Sequence, residues 1–546
     1  MVEAVERVTP GGPVDVTLPA GLRVVVDRHV VALDDGRVLL GGAPPRMLRL
    51  TPTGRALLTG GGFTVTDATS RALARRLLDA GVVHPVPEGG SRAREVTVVV
   101  PVKDRTAAVA RLLAALPEEL GGVIVVDDGS ADPDALRAVA KGALVLRHDR
   151  PRGPAAARNA GLAAASTPLV AFLDSDVLPE PGWLDPLLAH LADPAVGLVA
   201  PRIVALPPVD GWLARYEAVR SSLDLGPDPA VVVPRTRVAY VPSAALLVRR
   251  TAVGAGFEED MHVAEDVDLV LRLHAAGWRL RYEPSARVAH DHRTDLRQWW
   301  LRKAFYGTGA APLALRHHRA VPPMVLSPWA AAVAGALLAR RPGVALGVAA
   351  WAVHRLVPQL PGLERPWEAA TRIIGLGALG AVGQTADAVT RHYWPLAAVA
   401  CAVSTQARRT VATIALTEGV VDWWRHRDRD PAVRPGLLGH LVAHRLDDLA
   451  YGAGLWWGAL RHRTLEPLRP TGPRFAPPGR GHPQHDGKES TMTQPDDDDK
   501  TSGVPEVAGM PSMDPPEGGP NADPDAPDPA DLVPQRPGAP PAENPS

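Results

Sequence analysis

Four apolar runs of strand length lie between residues 96 and 173, and polar residues follow each of them. Residues 96–102 are an unbroken run rich in β-branched side chains, which is typical of a strand buried on both faces. Residues 122–126, 143–146 and 169–173 repeat the pattern, and segments with helical patterning separate the runs. Strands that alternate with helices predict a doubly wound α/β domain, with a mostly parallel sheet, over residues 91–310.

Residues 1–90 predict a separate small domain in front of this sheet. Residues 22–27 and 38–40 have strand patterns, and Thr51 is a candidate N-cap for a first helix. A second helix is expected over residues 68–80, and a short apolar run follows it. Strands, two helices and a closing strand predict a winged-helix-like arrangement.

This order of elements resembles the peptide-recognition domains attached to enzymes that modify ribosomally made peptides. A nucleic-acid reader is not expected, because the second helix carries only Arg71, Arg75 and Arg76 as basic residues. A linker rich in Pro, Gly and Ser, residues 85–91, separates this domain from the sheet.

Behind the sheet, residues 311–470 predict an apolar helical region. Residues 321–339 lack charge but contain three prolines, and the later charge-free runs reach only about 12 to 15 residues. A membrane-spanning helix needs about 20 apolar residues. The pattern therefore favours helices that pack together or lie on a membrane surface over helices that cross it. Flanking arginines suit the anionic inner face of a membrane: Arg340, Arg341, Arg408 and Arg409.

Charge is distributed unevenly along the chain. Residues 481–546 contain 14 Asp and Glu but 3 Lys and Arg, a net charge of −11, so the remaining residues carry +10 of the total of −1. Residues 471–546 are also rich in Pro and Gly with almost no large apolar side chains, which predicts a disordered acidic tail. The cationic excess elsewhere suits an anionic ligand or membrane surface.

A reducing, cytoplasmic location is expected for the chain. Cys401 is the single cysteine, so an intramolecular disulfide framework is excluded. The first residues lack the basic and then apolar pattern of a signal peptide. Together with the basic apolar helices, this predicts a cytoplasmic protein associated with the inner face of the membrane.

Candidate chemistry begins where the fourth strand ends. Asp174 and Asp176 are two residues apart, so in an extended chain both carboxylates point to the same side and can share one divalent cation. By itself such a pair is more often a turn or a helix cap. Polar groups also follow the other three strands, however: Lys103, Asp104, Asp127, Asp128 and Arg152. Since ligands of doubly wound sheets bind outside the carboxyl ends of the strands, this predicts a nucleotide site.

Four ordered motifs and one acidic block carry a family resemblance. The motifs are VVPVKDR (99–105), VVDDGS (125–130), RGPAAARN (152–159) and FLDSD (172–176), and the block is FEEDMHVAEDVDL (257–269). Over roughly residues 96–309 the series resembles the family 2 glycosyltransferases with the GT-A fold. The resemblance implies a UDP-sugar donor, Mg²⁺ or Mn²⁺, and a single displacement that inverts the anomeric carbon.

Carried over position by position, the resemblance implies a nucleotide-sugar site in which Asp128 hydrogen-bonds the uracil. Its residues would be Pro101, Lys103, Asp104, Asp127, Asp128, Arg152 and Asp174. Asp174 and Asp176 would contact the ribose and the diphosphate-bound metal, and His290 would be a further metal ligand. A surface histidine beside His292 is an equally good interpretation of His290.

The acidic block supplies the candidate base. The resemblance implies that Asp266 deprotonates the acceptor hydroxyl and that Glu265 supports it, as a transfer reaction requires a base within hydrogen-bonding reach. Asp266 and Asp268 are otherwise readily interpreted as ordinary charges at a helix N-terminus.

Two tryptophans are candidates for the acceptor channel. Aromatic faces suit sugar rings, which favours Trp299 and Trp300, but adjacent residues cannot share one helix face, so one of the two is expected in the core. Processive family members carry a Gln-x-x-Arg-Trp motif. Gln298 and Arg302 occur here in a different order, which puts processivity in doubt.

The order of the segments resembles one group within the family more specifically. Residues 445–461 and the Trp394–Pro395 pair behind the catalytic domain are similar to members that glycosylate a peptide-derived redox cofactor. That resemblance implies UDP-glucose as donor, a peptide-derived small-molecule acceptor and a short β-1,4-glucan as product.

Two alternatives to this function stay open at this point. The first is a membrane-associated transferase for a polysaccharide or lipid-linked acceptor, against which the short apolar runs argue. The second is a binding module that has kept a nucleotide pocket. The intact set of Asp174, Asp176 and Asp266 argues against that module, because it would not need a base.

Overall fold

The computed structural model describes residues 17–87, 92–292, 294–318, 320–360, 362–426 and 433–473. The linker predicted over residues 85–91 and the tail predicted over residues 471–546 lie largely outside these ranges.

Two three-stranded antiparallel sheets and two helices form the N-terminal region. The elements are β1 (Arg23–Val26), β2 (Val31–Leu33), β3 (Val38–Gly41), β4 (Arg46–Arg49), α1 (Pro52–Leu57), β5 (Gly62–Thr64), α2 (Ala68–Asp79) and β6 (Val83–Pro85). The hydroxyl of Thr51 accepts a hydrogen bond from the Gly54 amide at 3.1 Å, which caps α1 as expected. Strand β1 lies between β5 and β6, and β2, β3 and β4 form the other sheet. Two separate sheets do not by themselves define a winged helix.

The central domain is built on a nine-stranded sheet. Its elements are β7 (Val96–Val102), α3 (Thr106–Ala114), β8 (Gly122–Asp127), α4 (Pro133–Val139), β9 (Leu144–Arg147), α5 (Pro154–Ala164), β10 (Leu169–Leu173), β11 (Val177–Pro179), α6 (Leu184–His190), β12 (Val196–Ala205), α7 (Trp212–Arg220), β13 (Ala230–Val231), β14 (Ala245–Arg249), α8 (Arg250–Val253), α9 (Glu265–Ala275) and β15 (Arg279–His290). The strand order is β11-β15-β12-β14-β10-β7-β8-β9, and β13 pairs with β15. Every residue of β7 and β10 is buried, as their apolar runs predict.

The prediction of a mostly parallel sheet was wrong, because the sheet is mixed. Strands β10, β7, β8 and β9 are parallel, but β14 runs antiparallel to both β10 and β12. The four strands recognised in the sequence are joined by helices that return the chain to the same end of the sheet. Strand β14 is instead reached through the irregular segment 232–244, so its direction does not follow the helical crossover rule.

The C-terminal region is helical. Its helices are α10 (Leu296–Thr308), α11 (Ala310–His317), α12 (Pro328–Leu338), α13 (Pro342–Leu356), α14 (Pro366–Asp387), α15 (Trp394–Val403), α16 (Thr405–His426) and α17 (Leu437–Arg461). A π-helical turn, Ala388–His392, extends α14. The combined helix, Pro366–His392, is long and apolar enough to cross a membrane, and nearly half of its most apolar window is buried inside the protein. It exceeds the charge-free run seen in the sequence because Glu368, Arg372 and Arg391 lie within the helix.

Both terminal regions pack onto other parts of the chain. Val38, Leu40 and Met47 of the second N-terminal sheet form one buried cluster with Leu360 and Ile373 of the helical region. The guanidinium of Arg75 on α2 makes two hydrogen bonds to the Asp193 carboxylate of the central domain, at 2.8 and 2.9 Å.

Candidate active site

The buried strands β7, β8 and β10 are neighbours in the sheet, and the acidic residues predicted from sequence follow their carboxyl ends. Asp127 ends β8, and the register pairs it with Val102 at the end of β7. Asp174 directly follows β10. Asp127, Asp128, Asp174 and Asp176 are all buried, with at most 6% of their surface exposed. The parallel half of the sheet therefore gathers these side chains at one edge.

Protein hydrogen bonds occupy the Asp128 carboxylate in this structure. It accepts hydrogen bonds from the backbone amides of Arg152 at 2.9 Å and Gly153 at 2.8 Å, and it lies 2.7 Å from Nδ1 of His148. Asp127 accepts hydrogen bonds from the Ser130 amide and from the guanidinium of Arg147. Both carboxylates thus fix the loops that border the predicted nucleoside pocket.

The other predicted nucleotide-site residues lie on the same edge but differ in exposure. Pro101 is buried within β7, whereas Lys103 is half-buried and Asp104 is exposed. Asp104 has a positive φ of 56° and its carboxylate accepts a hydrogen bond from the Ala131 amide at 2.7 Å. The guanidinium of Arg152 points to Glu259, 2.8 Å away, and does not contact the aspartate pair.

Asp176 lies between a histidine and an arginine. Its Oδ2 is 3.5 Å from Nε2 of His290 and 3.3 Å from Nη1 of Arg105. The antiparallel pairing of β11 with β15 sets Val177 opposite His290, which brings the imidazole to the aspartate pair. Nδ1 of His290 is in turn 3.2 Å from Nδ1 of His292.

These residues fit a divalent cation. Oδ1 of Asp176 is buried and accepts no hydrogen bond from the residues that the structure describes. Burial raises the pKa of Asp174 and of Asp176, a penalty on the charged form that a cation would relieve. Burial also lowers the pKa of His290 to about 4, so the imidazole is neutral at pH 7, the form that binds metals.

Arg158 on α5 joins the aspartate pair to the acidic block. It is fully buried, and its guanidinium donates to Oδ1 of Asp174 at 2.6 Å and to Oε1 of Glu265 at 3.0 Å. A second connection runs through the backbone. The Asp174 amide donates to the carbonyl of Ala244 at 3.0 Å, and the amide of the adjacent Ser243 donates to Oδ2 of Asp266 at 3.1 Å.

Glu265 and Asp266 begin helix α9 and are completely surrounded by protein. Burial, and then the charge of Asp266, raises the pKa of Glu265 to about 8, although Arg158 opposes the shift. Asp266 is near the side chain of Tyr240, whose pKa is raised by burial and by the charges of Tyr451 and Asp266. Since Tyr451 belongs to α17, the C-terminal helices reach the surroundings of the candidate base.

The adjacent tryptophans have different surroundings. Trp299 is buried among Leu213, Tyr216 and Ala443, and its indole N–H donates to Glu217 at 2.8 Å. It therefore presents no free face to a sugar ring, in contrast to Trp300, which is half-buried at the edge of the same cluster.

Sequence reasoning missed Arg158, Arg105 and Tyr240. Arg158 lies inside the quoted RGPAAARN motif, and a lone charge within an Ala-rich helix was the available signal. Arg105 belongs to the quoted VVPVKDR motif. The contribution of Tyr240 depends on the irregular segment 232–244, which has no periodic pattern to place it.

Comparison with known proteins agrees with this geometry. The model of the glycosyl transferase family 2 matches residues 97–252. A pre-mycofactocin glycosyltransferase of Mycobacterium tuberculosis (strain ATCC 25618 / H37Rv) is 49% identical over 464 residues, which cover 83% of this chain and 98% of that protein. The succinoglycan biosynthesis protein ExoU of Rhizobium meliloti is 31% identical over 207 residues, covering 34% of this chain and 59% of that protein.

Among solved structures, a mannosyltransferase from Pyrobaculum calidifontis, in complex with GDP-Man and Mn²⁺, matches 70% of this chain and 92% of its own. The sequence identity is 20% and the TM-score is 0.39.

The mixed α/β sheet carries an aspartate pair at a strand end, with an acidic pair joined to it through Arg158, and the chain belongs to the family 2 glycosyltransferases. Within that family it groups with the pre-mycofactocin glycosyltransferases, which it matches over nearly their full length.

Proposed function

We propose that this enzyme transfers glucose from UDP-glucose to pre-mycofactocin, with inversion at the anomeric carbon, and builds a short β-1,4-glucan. The observation that carries the proposal is the 49% identity across 98% of the M. tuberculosis pre-mycofactocin glycosyltransferase. The aligned 464 residues far exceed the family-model match of 97–252, so the similarity is not confined to the catalytic domain.

The donor half of the reaction is assigned to the edge formed by β7, β8 and β10. Asp128 and its neighbours border the uridine, and Asp174, Asp176 and His290 would hold Mg²⁺ or Mn²⁺. The cation would supply charge neutralisation for the leaving UDP. Arg105, 3.3 Å from Asp176, adds a positive charge beside the same position.

The acceptor half is assigned to Asp266. As a general base it takes the proton from the acceptor hydroxyl while that oxygen forms a bond to the anomeric carbon and the bond to UDP breaks. One base and one displacement give inversion. The amide of Ser243 holds Asp266 in place through its hydrogen bond to Oδ2, and the adjacent Glu265 is proposed to support the base.

The acceptor-specific part of the proposal involves the rest of the chain. The N-terminal region, with its two small sheets, is proposed to recognise the peptide-derived part of the acceptor. Trp300 is the better candidate of the two tryptophans for stacking on a sugar. The enzyme is proposed to work in the cytoplasm at the inner membrane surface.

The test is a transfer assay with the full chain. Purified protein, Mn²⁺, UDP-glucose and the deaminated-dipeptide precursor of mycofactocin are incubated, and hexose additions are measured by mass spectrometry. We expect a ladder of hexoses, and we expect Asp266→Asn to slow transfer by roughly 10² to 10⁴-fold, the usual contribution of a general base. Donor binding should persist in this variant.

The matched control is Asp260→Asn, which changes an exposed carboxylate in the same acidic block and should leave transfer unchanged. UDP release without a product on this acceptor would refute the acceptor assignment and favour a polysaccharide or lipid-linked acceptor. No turnover with any UDP-sugar would overturn the transferase proposal as a whole.

A further inference from the structure

Helix α15 has an apolar surface that the residues described by the structure leave uncovered. All ten of its residues, Trp394–Val403, are uncharged, and none of them is buried. Leu396, Val399 and Val403 have 56%, 65% and 83% of their surface exposed. Five residues of α15 are partly covered by neighbouring helices and five are exposed, so an apolar surface remains for a partner that the described residues do not supply.

The exposed helix borders an apolar groove of about 490 Å³. The groove runs between α15 and the first turns of α16. Leu338 of α12 and Val389 of the π-helical turn form its border. Most of its lining is apolar, so the uncovered surface extends over three helices and is continuous there.

The charged side chains that edge this surface are arginines. Arg340 and Arg341 directly follow α12, and Arg408 and Arg409 lie in the first turns of α16, and all four are exposed. The sequence contains no acidic residue between Asp295 and Glu364 or between Asp387 and Glu418. A neutral apolar surface edged by arginines matches the acyl region and the phosphates of an anionic lipid bilayer.

The size of α15 fits one leaflet. Ten helical residues span about 15 Å, which is half of the hydrocarbon thickness of about 30 Å.

Helix α14, with its π-helical extension, is held too firmly by protein to cross the membrane instead. One face of its first half, including Ile373, is buried against Leu40 and Met47 of the second N-terminal sheet. At the other end Arg391 is buried and lies 3.3 Å from Asp448 on α17. A spanning position would strip both contacts and leave Asp448 without this partner in lipid.

From these observations we infer that the enzyme is monotopic: α15 and its adjoining groove insert into one leaflet of an anionic membrane, and the flanking arginines bind the lipid phosphates. This goes beyond the proposed transfer reaction and does not depend on the identity of the acceptor.

Vesicle flotation of the full chain tests the inference directly. Wild-type protein should float with vesicles of phosphatidylcholine and phosphatidylglycerol, and Val399→Glu combined with Val403→Glu should weaken binding by roughly tenfold or more. Arg408→Gln combined with Arg409→Gln should weaken binding to the anionic vesicles roughly fivefold per arginine and leave binding to neutral vesicles unchanged. The control is Leu144→Glu, which adds the same charge at a 52% exposed leucine of β9 and should float like the wild type.

Depth is measured at Cys401, the only cysteine of the chain, which lies in α15. A fluorophore attached there should be quenched by lipids brominated along the acyl chains of the outer leaflet of the vesicles. Hydrolysis of UDP-glucose by each variant checks that the catalytic domain is intact.

Three results would overturn the inference. One is wild-type protein that does not float with anionic vesicles, and another is flotation unchanged by the two glutamates. The third is a dimer in lipid-free buffer that Val399→Glu dissociates in sedimentation, because a second copy of the chain would then be the partner of this surface.

Discussion

Arg158 connects the donor side and the acceptor side of the site through a single side chain. Its guanidinium contacts Asp174, which is proposed to hold the metal, and Glu265, which adjoins the proposed base. All three side chains are essentially inaccessible to water. Removal of one partner from such a group is costly, because it leaves buried charges without compensation.

Replacement of this arginine should therefore affect stability as well as turnover. We expect Arg158→Gln to reduce the free energy of unfolding by about 3 to 5 kcal/mol, because Asp174 would lose its counter-charge and Glu265 its hydrogen-bond donor. Urea unfolding followed by tryptophan fluorescence measures the loss. Arg152→Gln in the same motif removes an exposed pair with Glu259 and should cost at most about 1 kcal/mol. Equal midpoints for the two variants would contradict this role of Arg158.

The sequence allowed the carboxylates of the site to be identified, but not the residues that form hydrogen bonds with them. Asp174, Asp176 and Asp266 could be recognised because motif order and strand ends identify them. The bond between Arg158 and Glu265 joins residues 107 positions apart, and no local pattern encodes such a contact. The burial of Trp299 also depended on a distant helix, α17.

Helices α10 and α17 pack through glycines. A Cβ at Gly454 of α17 would overlap the carbonyl oxygen of Ala304 on α10, and a Cβ at Gly307 would meet the backbone of Tyr451 and Leu455. Such close backbone contact makes the pair a rigid unit. Because Gly309 at the end of α10 lies against Val263 and Ala264, this unit also supports the loop before Asp266.

One added methyl group should disturb this contact. We expect Gly454→Ala to lower the free energy of unfolding by about 1 to 3 kcal/mol through overpacking, and to reduce transfer because α10 moves against the loop before Asp266. Thermal unfolding and the hexose assay measure the two effects. Gly383→Ala on α14, where a Cβ has open space, should be neutral or slightly stabilising. A Gly454→Ala protein as stable as wild type would refute the close packing.

Asp387, at the end of α14, makes the stability of the helical region depend on pH. Burial, and then the charge of Asp448, raises the pKa of Asp387 to about 7, whereas the unfolded chain ionises near the ordinary value of 3.8. Between these values the folded state holds a proton that the unfolded state has lost. The contribution of Asp387 to stability is therefore present at low pH and is lost as the pH rises towards and through 7.

Asp387→Asn removes this titration. We expect the variant to gain melting temperature relative to the wild type when the buffer changes from pH 5 to pH 8. The comparison of both proteins at both pH values cancels the other titrating groups. A difference between the two proteins that is the same at pH 5 and pH 8 would show that Asp387 ionises normally.

Some helices and strands lie where the sequence pattern predicted them, and others do not. The strands of the parallel half and the N-terminal helices lay where apolar runs and caps predicted them. Strand β14 was missed because its apolar run, residues 245–249, is short and reached through an irregular segment. The length of α14 was underestimated because buried ion pairs accommodate charges such as Arg391 inside the helix.

At the scale of the whole molecule, the N-terminal region packs directly against the C-terminal helical region. The N-terminal sheet covers α14 through the cluster of Leu40, Met47 and Ile373, and Arg37 lies 3.1 Å from Glu364 at its edge. The catalytic domain lies between these regions in sequence, so folding must join elements more than 300 residues apart.

A cavity in this cluster should weaken the contact between the second N-terminal sheet and α14. We expect Leu40→Ala to cost about 2 to 5 kcal/mol and to raise hydrogen exchange in the first half of α14, although the mutation lies in the N-terminal sheet. Leu144→Ala at an exposed position should change stability by less than about 0.5 kcal/mol. Unchanged exchange in α14 would show that the two regions are independent.

The same contact has a consequence for synthesis on the ribosome. Leu40 leaves the ribosome 320 residues before its partner Leu360, which at roughly 5 to 20 residues per second is an interval of about 15 to 60 seconds. During that interval the apolar face of the second N-terminal sheet lacks the cover that the helical region gives it in the described structure. We therefore expect the nascent protein to bind chaperones that shield apolar surface until the helical region emerges.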